Sequence, residues 1–219
     1  MLPLFEQYRP KKIEDVVGQD EAVKTLQFIA KRGFVGRVFW LTGKSGTGKT
    51  TLARIIAKTV AQSYAIVEID AADLSIDRVR QYEDWCRMKP IGCEAHAFII
   101  NEAHSLRPAI LARLNTTFEK PEVLKNSVWC FTTTLDGHKR LFDAEEIETV
   151  PFGSRTIQLR LKSDENVTLS FAIRARNAAQ AEGMDGKPLD EYVKLVRKHN
   201  HNLREVFQAI DTGVMCQNA

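Results

Sequence analysis

Residues Val38 to Thr51 constrain this chain more than any other stretch. A short apolar run, Val38-Phe-Trp-Leu-Thr42, leads straight into Gly43-Lys-Ser-Gly-Thr-Gly48-Lys49-Thr50, and a helical pattern begins at once. The loop fits G-x-x-x-x-G-K-[ST], and strand, loop and helix in that order form the setting in which this spacing binds phosphate. Glycines let backbone N–H groups wrap an anion, and the helix N-terminus adds its positive dipole end. Lys49 is placed to reach the β- and γ-phosphates, and the Thr50 hydroxyl to ligate Mg²⁺. The expected nucleotide-binding set is Gly43, Lys44, Ser45, Gly46, Thr47, Gly48, Lys49, Thr50 and Thr51.

Around this loop, short apolar runs alternate with helical patterns, which predicts an α/β fold with a parallel sheet and helices on its faces. The five strand candidates are Val38 to Thr42, Ala65 to Ile69, Ala97 to Asn101, Val128 to Thr132 and Thr156 to Leu159. Helices are expected over Asp20 to Lys31, over Thr50 to Ala61 and around Arg107 to Glu119. For the last of these, Ser105 is a candidate N-cap and Pro108 lies near the first turn. From about Ser163 the strands stop, and Asn166 to Glu182, Leu189 to His199 and Asn202 to Met215 read as helices, with a turn at Gly183 to Pro188. The expected division is a nucleotide-binding α/β domain over 1–162 and a small helical lid over 163–219.

Composition sets limits. The 219 residues are 44% hydrophobic and 27% charged, an ordinary globular balance, and a net charge of +3 neither requires nor excludes a nucleic-acid partner. Cys86, Cys93, Cys130 and Cys216 show no C-x-x-C pair and no matching His spacing, so no zinc is expected, and reduced buried thiols are the better reading. No apolar run approaches the ~18 residues of a membrane helix, and no signal-peptide core is present. The expectation is a soluble cytoplasmic protein with no membrane partner.

The flanking motifs carry a family resemblance. Leu4-Phe-Glu-Gln-Tyr8-Arg9-Pro10 followed by Asp15-Val-Val-Gly18-Gln19-Asp20 is similar to the N-terminal signature of clamp-loader AAA+ ATPases, the replication factor C small subunits and the bacterial DNA polymerase III gamma/tau subunit. Val67-Glu-Ile-Asp70-Ala71-Ala72 resembles that family's second strand and turn, and Leu114 to Pro121 its L-x-x-x-x-E-x-P. The resemblance implies a P-loop NTPase core of five parallel strands and a helical lid. It implies a base pocket beside Tyr8, Val16 and Val17. It places a sensor at Thr133, a trans-acting arginine finger at Arg155 in Gly153-Ser-Arg-Thr156, and a lid sensor at Arg204 in Asn202-Leu-Arg-Glu205. The segment Leu135 to Phe152, with Asp143-Ala-Glu-Glu146, is longer than the family's. Relatives also carry a C-terminal collar, and the expectation here is core and lid without one.

The run Ala97-Phe-Ile-Ile-Asn101-Glu102-Ala103-His104 resembles the family's second nucleotide motif, with Asn where an Asp normally stands. Glu102 is then the base that polarises the attacking water. Asn101 addresses the Mg²⁺ shell through water with a carbonyl but no charge. Two unit charges 4 Å apart at an effective dielectric near 20 interact by roughly 4 kcal/mol before solvation offsets it. Weaker Mg²⁺ binding and slower turnover are therefore expected, with ATP binding kept. His104 reads as a bystander beside the motif.

The resemblance implies an ATPase with ATP and Mg²⁺ as cofactors, a sliding clamp and primer-template DNA as partners, and self or homologous AAA+ subunits in a pentamer-like spiral. Arg78, Arg80 and Arg107 are the candidate contacts to the DNA backbone. Two other readings share the same motifs: an ATP-binding assembly subunit impaired in hydrolysis, and another AAA+ task such as helicase loading or branch migration.

Overall fold

The computed structural model describes residues 2–134 and 154–216. The expected long loop from Leu135, its acidic run at Asp143 to Glu146, and Gly153 lie outside the described residues. Five strands form one parallel sheet: β1 (Val38–Thr42), β2 (Ile66–Asp70), β3 (His96–Asn101), β4 (Ser127–Thr133) and β5 (Ile157–Arg160), in the order β2-β3-β4-β1-β5. Every residue of β1 and β4 is buried, as expected for inner strands covered on both faces. β2 stands at an edge and is only partly covered. Each strand lies within a residue of its expected bounds at either end; buried β1, β3 and β4 read as nearly unbroken apolar runs, while β2 and β5 alternate apolar with polar residues.

Among the described residues the helices are α1 (Leu4–Gln7), α2 (Asp20–Ala30), α3 (Lys49–Val60), α4 (Ile76–Cys86), α5 (Pro108–Thr117), α6 (Pro121–Leu124), α7 (Glu165–Ala181), α8 (Leu189–Lys198) and α9 (Leu203–Asp211). Three expectations need correction. Ser105 does not cap α5: it closes a 3₁₀ turn over Ala103–Ser105, and the extended residue before Pro108 is Arg107, which takes the cap position without a side-chain bond. Proline disfavours helical geometry in its predecessor, so the helix starts at Pro108 whatever Ser105 offers. The last helix ends at Asp211 rather than Met215, since Gly213 turns into the left-handed region at φ 82°. Of the four cysteines only Cys86 and Cys130 are buried, while Cys93 and Cys216 are half-buried.

The chain forms two compact units. The first comprises Met1–Leu26, Gly43–Thr51 and Leu161–Ala219. Its core joins Leu4 to Val167, Phe171, Tyr192, Val206, Phe207 and Ile210. Asp164 and Asn202 cap α7 and α9 by accepting backbone N–H bonds from Asn166 and Glu205, satisfying donors that a helix start leaves orphaned. The Leu4 N–H donates to Asp211 at 3.1 Å and so ties the N-terminal segment to the end of α9.

The second unit comprises Gln27–Thr42 and Leu52–Arg160 and holds the sheet. One face of the sheet is paved with aromatic rings: Phe98 stacks on Trp129 with centroids 4.2 Å apart, Tyr82 meets Phe98 at 4.8 Å, and Trp40 stacks on Phe131 at 5.5 Å. α4, α5 and α6 supply the opposing layer through Val79, Ile110, Leu114 and Val123. Burying rings of this size contributes about 2–3 kcal/mol each, so this layer anchors the strands whose ends bear polar side chains. α4 has no clear bounds in the sequence, but Ser75 accepts from the Arg78 N–H and starts it, and Val79, Tyr82 and Cys86 turn one face inward.

Candidate nucleotide site

The phosphate loop lies in the first unit. Lys49 is 8% exposed, and its ammonium donates to the carbonyls of Gly43 at 2.9 Å and Lys44 at 2.8 Å. A buried cation is costly unless paired or hydrogen-bonded, so a loop built around one offers an anion a favourable place. The glycines are required by close approach. A Cβ at Gly43 would sit 2.9 Å from Thr47 Oγ1 and 3.0 Å from the Leu161 carbonyl. At Gly46, with φ 74°, a Cβ would fall 1.7 Å from Asn202 Oδ1. Thr47 donates to Lys44 O at 2.8 Å and braces the turn, while Lys44 and Ser45 stay exposed and Gly48 half-buried. Thr50 occupies the first turn of α3, half-buried, beside Lys49. This donor set, a buried lysine in a glycine cradle at a helix start, fits nucleotide phosphates, with Thr50 as the hydroxyl for Mg²⁺.

Other candidates of the first unit cluster around α1, α7 and α9. Tyr8 donates its hydroxyl to Glu182 at 2.6 Å, a bond that raises its pKa, and its ring stacks on Phe207 at 6.4 Å. Val16 ends a 3₁₀ turn, and Val17 packs on the unit's core; both are half-buried. Arg9, beside Tyr8, donates to Thr51 Oγ1 at 3.0 Å and so joins the N-terminal segment to the loop's last residue. Arg204 stands exposed in the first turn of α9, its guanidinium 5.8 Å over the Phe5 ring.

The carboxyl ends of β2, β3 and β4 gather polar groups in the second unit, the end at which open α/β sheets bind their ligands. Asn101 accepts from Thr132 Oγ1 at 2.9 Å and donates from Nδ2 to Glu68 at 3.1 Å. Glu68 in turn takes a two-pronged bond from Arg54, at 2.7 and 2.9 Å. Both faces of the Asn101 amide are therefore oriented, and its Nδ2 meets a carboxylate where an Asp would present an oxygen. Glu102 comes next, in the left-handed region at φ 51° and ψ 45°, a conformation that costs a non-glycine residue about 1–3 kcal/mol. Strain of this kind concentrates where a side chain must be aimed.

Thr133, fully buried at the end of β4, lies 3.2 Å from Nδ1 of His104, and the same nitrogen is 3.5 Å from Glu102 Oε2. His104, the expected bystander, thus stands between the candidate sensor and the candidate base. Arg155 is paired with Glu119 at 2.6 Å. Arg78 and Arg80 lie in the first turns of α4, with Arg80 paired to Asp77 at 3.1 Å, and Arg107 precedes α5; all three are exposed. Sequence reasoning quoted Arg9, Asn202 and Glu68 within its motifs without giving them contacts and did not single out Arg54; all four make contacts between positions distant in sequence.

Among known proteins, residues 39–144 match the sequence model of the ATPase family associated with various cellular activities (AAA). The DNA polymerase III subunit tau of Bacillus subtilis is 30% identical over 159 residues, 62% of this chain and 28% of that protein. The replication factor C small subunit of Methanothermobacter thermautotrophicus is 32% identical over 110 residues, 48% of this chain and 34% of its own. The chain therefore spans about a third or less of these relatives. Among solved structures, Thermotoga maritima RuvB matches 96% of the chain and 68% of its own with a TM-score of 0.72 at 19% identity, a likeness of fold alone. Family match, sheet order and phosphate loop agree: residues 39–144 match an AAA-family ATPase domain, the five-stranded parallel sheet with its phosphate loop is a P-loop NTPase fold, and the relatives are named DNA polymerase III subunit tau and replication factor C small subunit.

Proposed function

We propose that the chain is the ATPase core of a clamp-loader-type subunit, which binds and hydrolyses ATP with Mg²⁺ to open a sliding clamp and set it on primed DNA. The observation that carries this reading is the buried Lys49 ammonium closed into its own loop. Bound ATP supplies an electrophilic γ-phosphate. Lys49 and Thr50 hold phosphate and metal, Glu102 takes the proton of the attacking water, and Thr133 orients a phosphate or water oxygen. Residues 163–219 serve as the lid, with Arg204 on it, and Arg155 acts on the nucleotide of a neighbouring subunit. Arg78, Arg80 and Arg107 grip the DNA backbone, contacts that add affinity without reading sequence.

A partner face supports the clamp. Trp85, Met88 and Ile91 are 41%, 75% and 91% exposed, within seven residues of one another at and beyond the end of α4. Apolar side chains grouped in solvent are a docking signal. Phosphate release with and without primed DNA tests the enzyme, with Lys49→Ala as control, and capture by the cognate sliding clamp tests the partner. Release no greater than the control favours a second reading, supported by Asn101: a subunit that binds ATP and assembles but does not hydrolyse. Clamp capture that survives Trp85→Ser with Ile91→Glu would remove this face from the proposal.

A further inference from the structure

We propose that His104 is a positioning residue that ties the state of Thr133 to the orientation of Glu102; this rests on the reading of those two residues given above. The geometry is specific. The left-handed turn at Glu102 opens the 3₁₀ segment Ala103–Ser105, closed by the Ser105 N–H donating to the Glu102 carbonyl at 2.8 Å. That turn brings the imidazole of His104 to the end of β4, where one nitrogen, Nδ1, faces both Thr133 Oγ1 at 3.2 Å and Glu102 Oε2 at 3.5 Å.

One ring nitrogen of a neutral imidazole either donates or accepts: the Thr133 hydroxyl can pair with both forms, whereas the Glu102 carboxylate pairs only with the protonated one. Without a proton, Nδ1 accepts the Thr133 O–H and offers nothing to the carboxylate. With a proton, it donates to Glu102 and fixes the direction of that side chain. The Thr133 hydroxyl has a single proton and two acceptors for it, His104 Nδ1 at 3.2 Å and the Thr134 carbonyl at 3.3 Å, so an anion that accepts it withdraws it from both. The ring then changes tautomer: a proton leaves Nε2 for water, another arrives at Nδ1 from water, and net charge is unchanged. Occupancy at Thr133 is relayed in this way to the base. An Ala at 104 would leave Glu102 exposed and unguided, although its backbone turn would persist.

The test uses the full chain and three substitutions. With ¹⁵N-labelled histidine, the Nδ1 signal of His104 should move toward its protonated position on adding a slowly hydrolysed ATP analogue with Mg²⁺, and Thr133→Val should abolish that movement. In the nucleotide-free chain, Thr133→Val should itself change the Nδ1 signal; an unchanged signal overturns the proposal even for a chain that binds no analogue. In turnover, His104→Ala should lower kcat roughly tenfold with KM and analogue affinity unchanged. His104→Asn should restore most of the rate, because its amide nitrogen takes the place of Nδ1. A fall in analogue affinity and melting temperature that Asn fails to rescue means that His104 only braces the turn. Absence of turnover in the parent chain refutes the hydrolytic reading separately, since the spectroscopic arms need no hydrolysis.

Discussion

At position 101 an amide nitrogen stands where the second nucleotide motif normally carries an acid. The structure shows what that exchange does locally: Nδ2 of Asn101 satisfies Glu68, which Arg54 already holds from its other side. Asn101→Asp would set two carboxylate oxygens against each other at that distance. In this half-exposed place the repulsion should cost about 1 kcal/mol of stability in metal-free protein. A divalent cation relieves such repulsion, so the melting temperature of the variant should rise more than the parent's on adding Mg²⁺ with an ATP analogue, and turnover should increase. Equal metal responses in parent and variant would exclude Asn101 from the metal shell. Like His104, this network was hidden in the sequence. The motif shows which residues are candidates, but the pairing of Glu68 with Asn101 depends on the register of β2 against β3.

The elements divide by how much of their information is local. Strands were legible because apolar runs need no partner to be recognised, and the phosphate loop because its spacing sits between a strand and a helix. α4 was not, since its inward positions are few and include Glu83, 7% exposed. Burial opposes the charge on Glu83, but bonds from Thr117 and Lys120 and the charges of Arg113 and Lys120 outweigh it and hold the carboxyl below its ordinary value. This cluster joins α4 to α5 and to Lys120 before α6. A depressed folded pKa stabilises above the unfolded value of about 4.3, and the stabilisation is lost as pH falls through the folded pKa. Glu83→Gln should therefore cost roughly 2 kcal/mol near neutral pH by thermal melting, with the gap to the parent closing in acid. A constant gap would reassign the effect to packing.

The phosphate loop itself depends on a helix distant in sequence. Asn202, which caps α9, fills the space over Gly46, and the two preceding residues, Asn200 and His201, are both left-handed. Gly46→Ala would add the ~1–2 kcal/mol of a left-handed alanine to a direct collision, so ATP affinity should fall at least about tenfold, as read by calorimetry. Adding Asn202→Gly should recover part of it. No recovery would mean that the loop and α9 do not share this contact.

On the scale of the whole molecule, the paired arginine matters most. Arg155 is engaged by Glu119 within its own chain, so an action on a neighbouring subunit requires exchange of one anionic partner for another. Arg155→Ala should lower the turnover of assembled subunits by about 10³-fold or more while leaving ATP affinity unchanged. Glu119→Gln should shift assembly to lower protein concentration in analytical ultracentrifugation. If Arg155→Ala is silent in both, the residue serves only its own chain. Among the described residues no helix is long and apolar enough to cross a membrane.

The sheet order also governs how the chain is made. β1 lies between β4 and β5, yet it leaves the ribosome long before either. At roughly 5–20 residues per second, its Phe39-Trp40-Leu41 run must wait several seconds for Ser127 and the rest of β4 to emerge. Neighbouring β2 and β3 can pair early, whereas the middle of the sheet closes late, so the nascent chain passes through a stage in which the apolar β1 has neither of its two neighbours. Production of this protein should respond more to chaperone supply and translation speed than to changes on its finished surface.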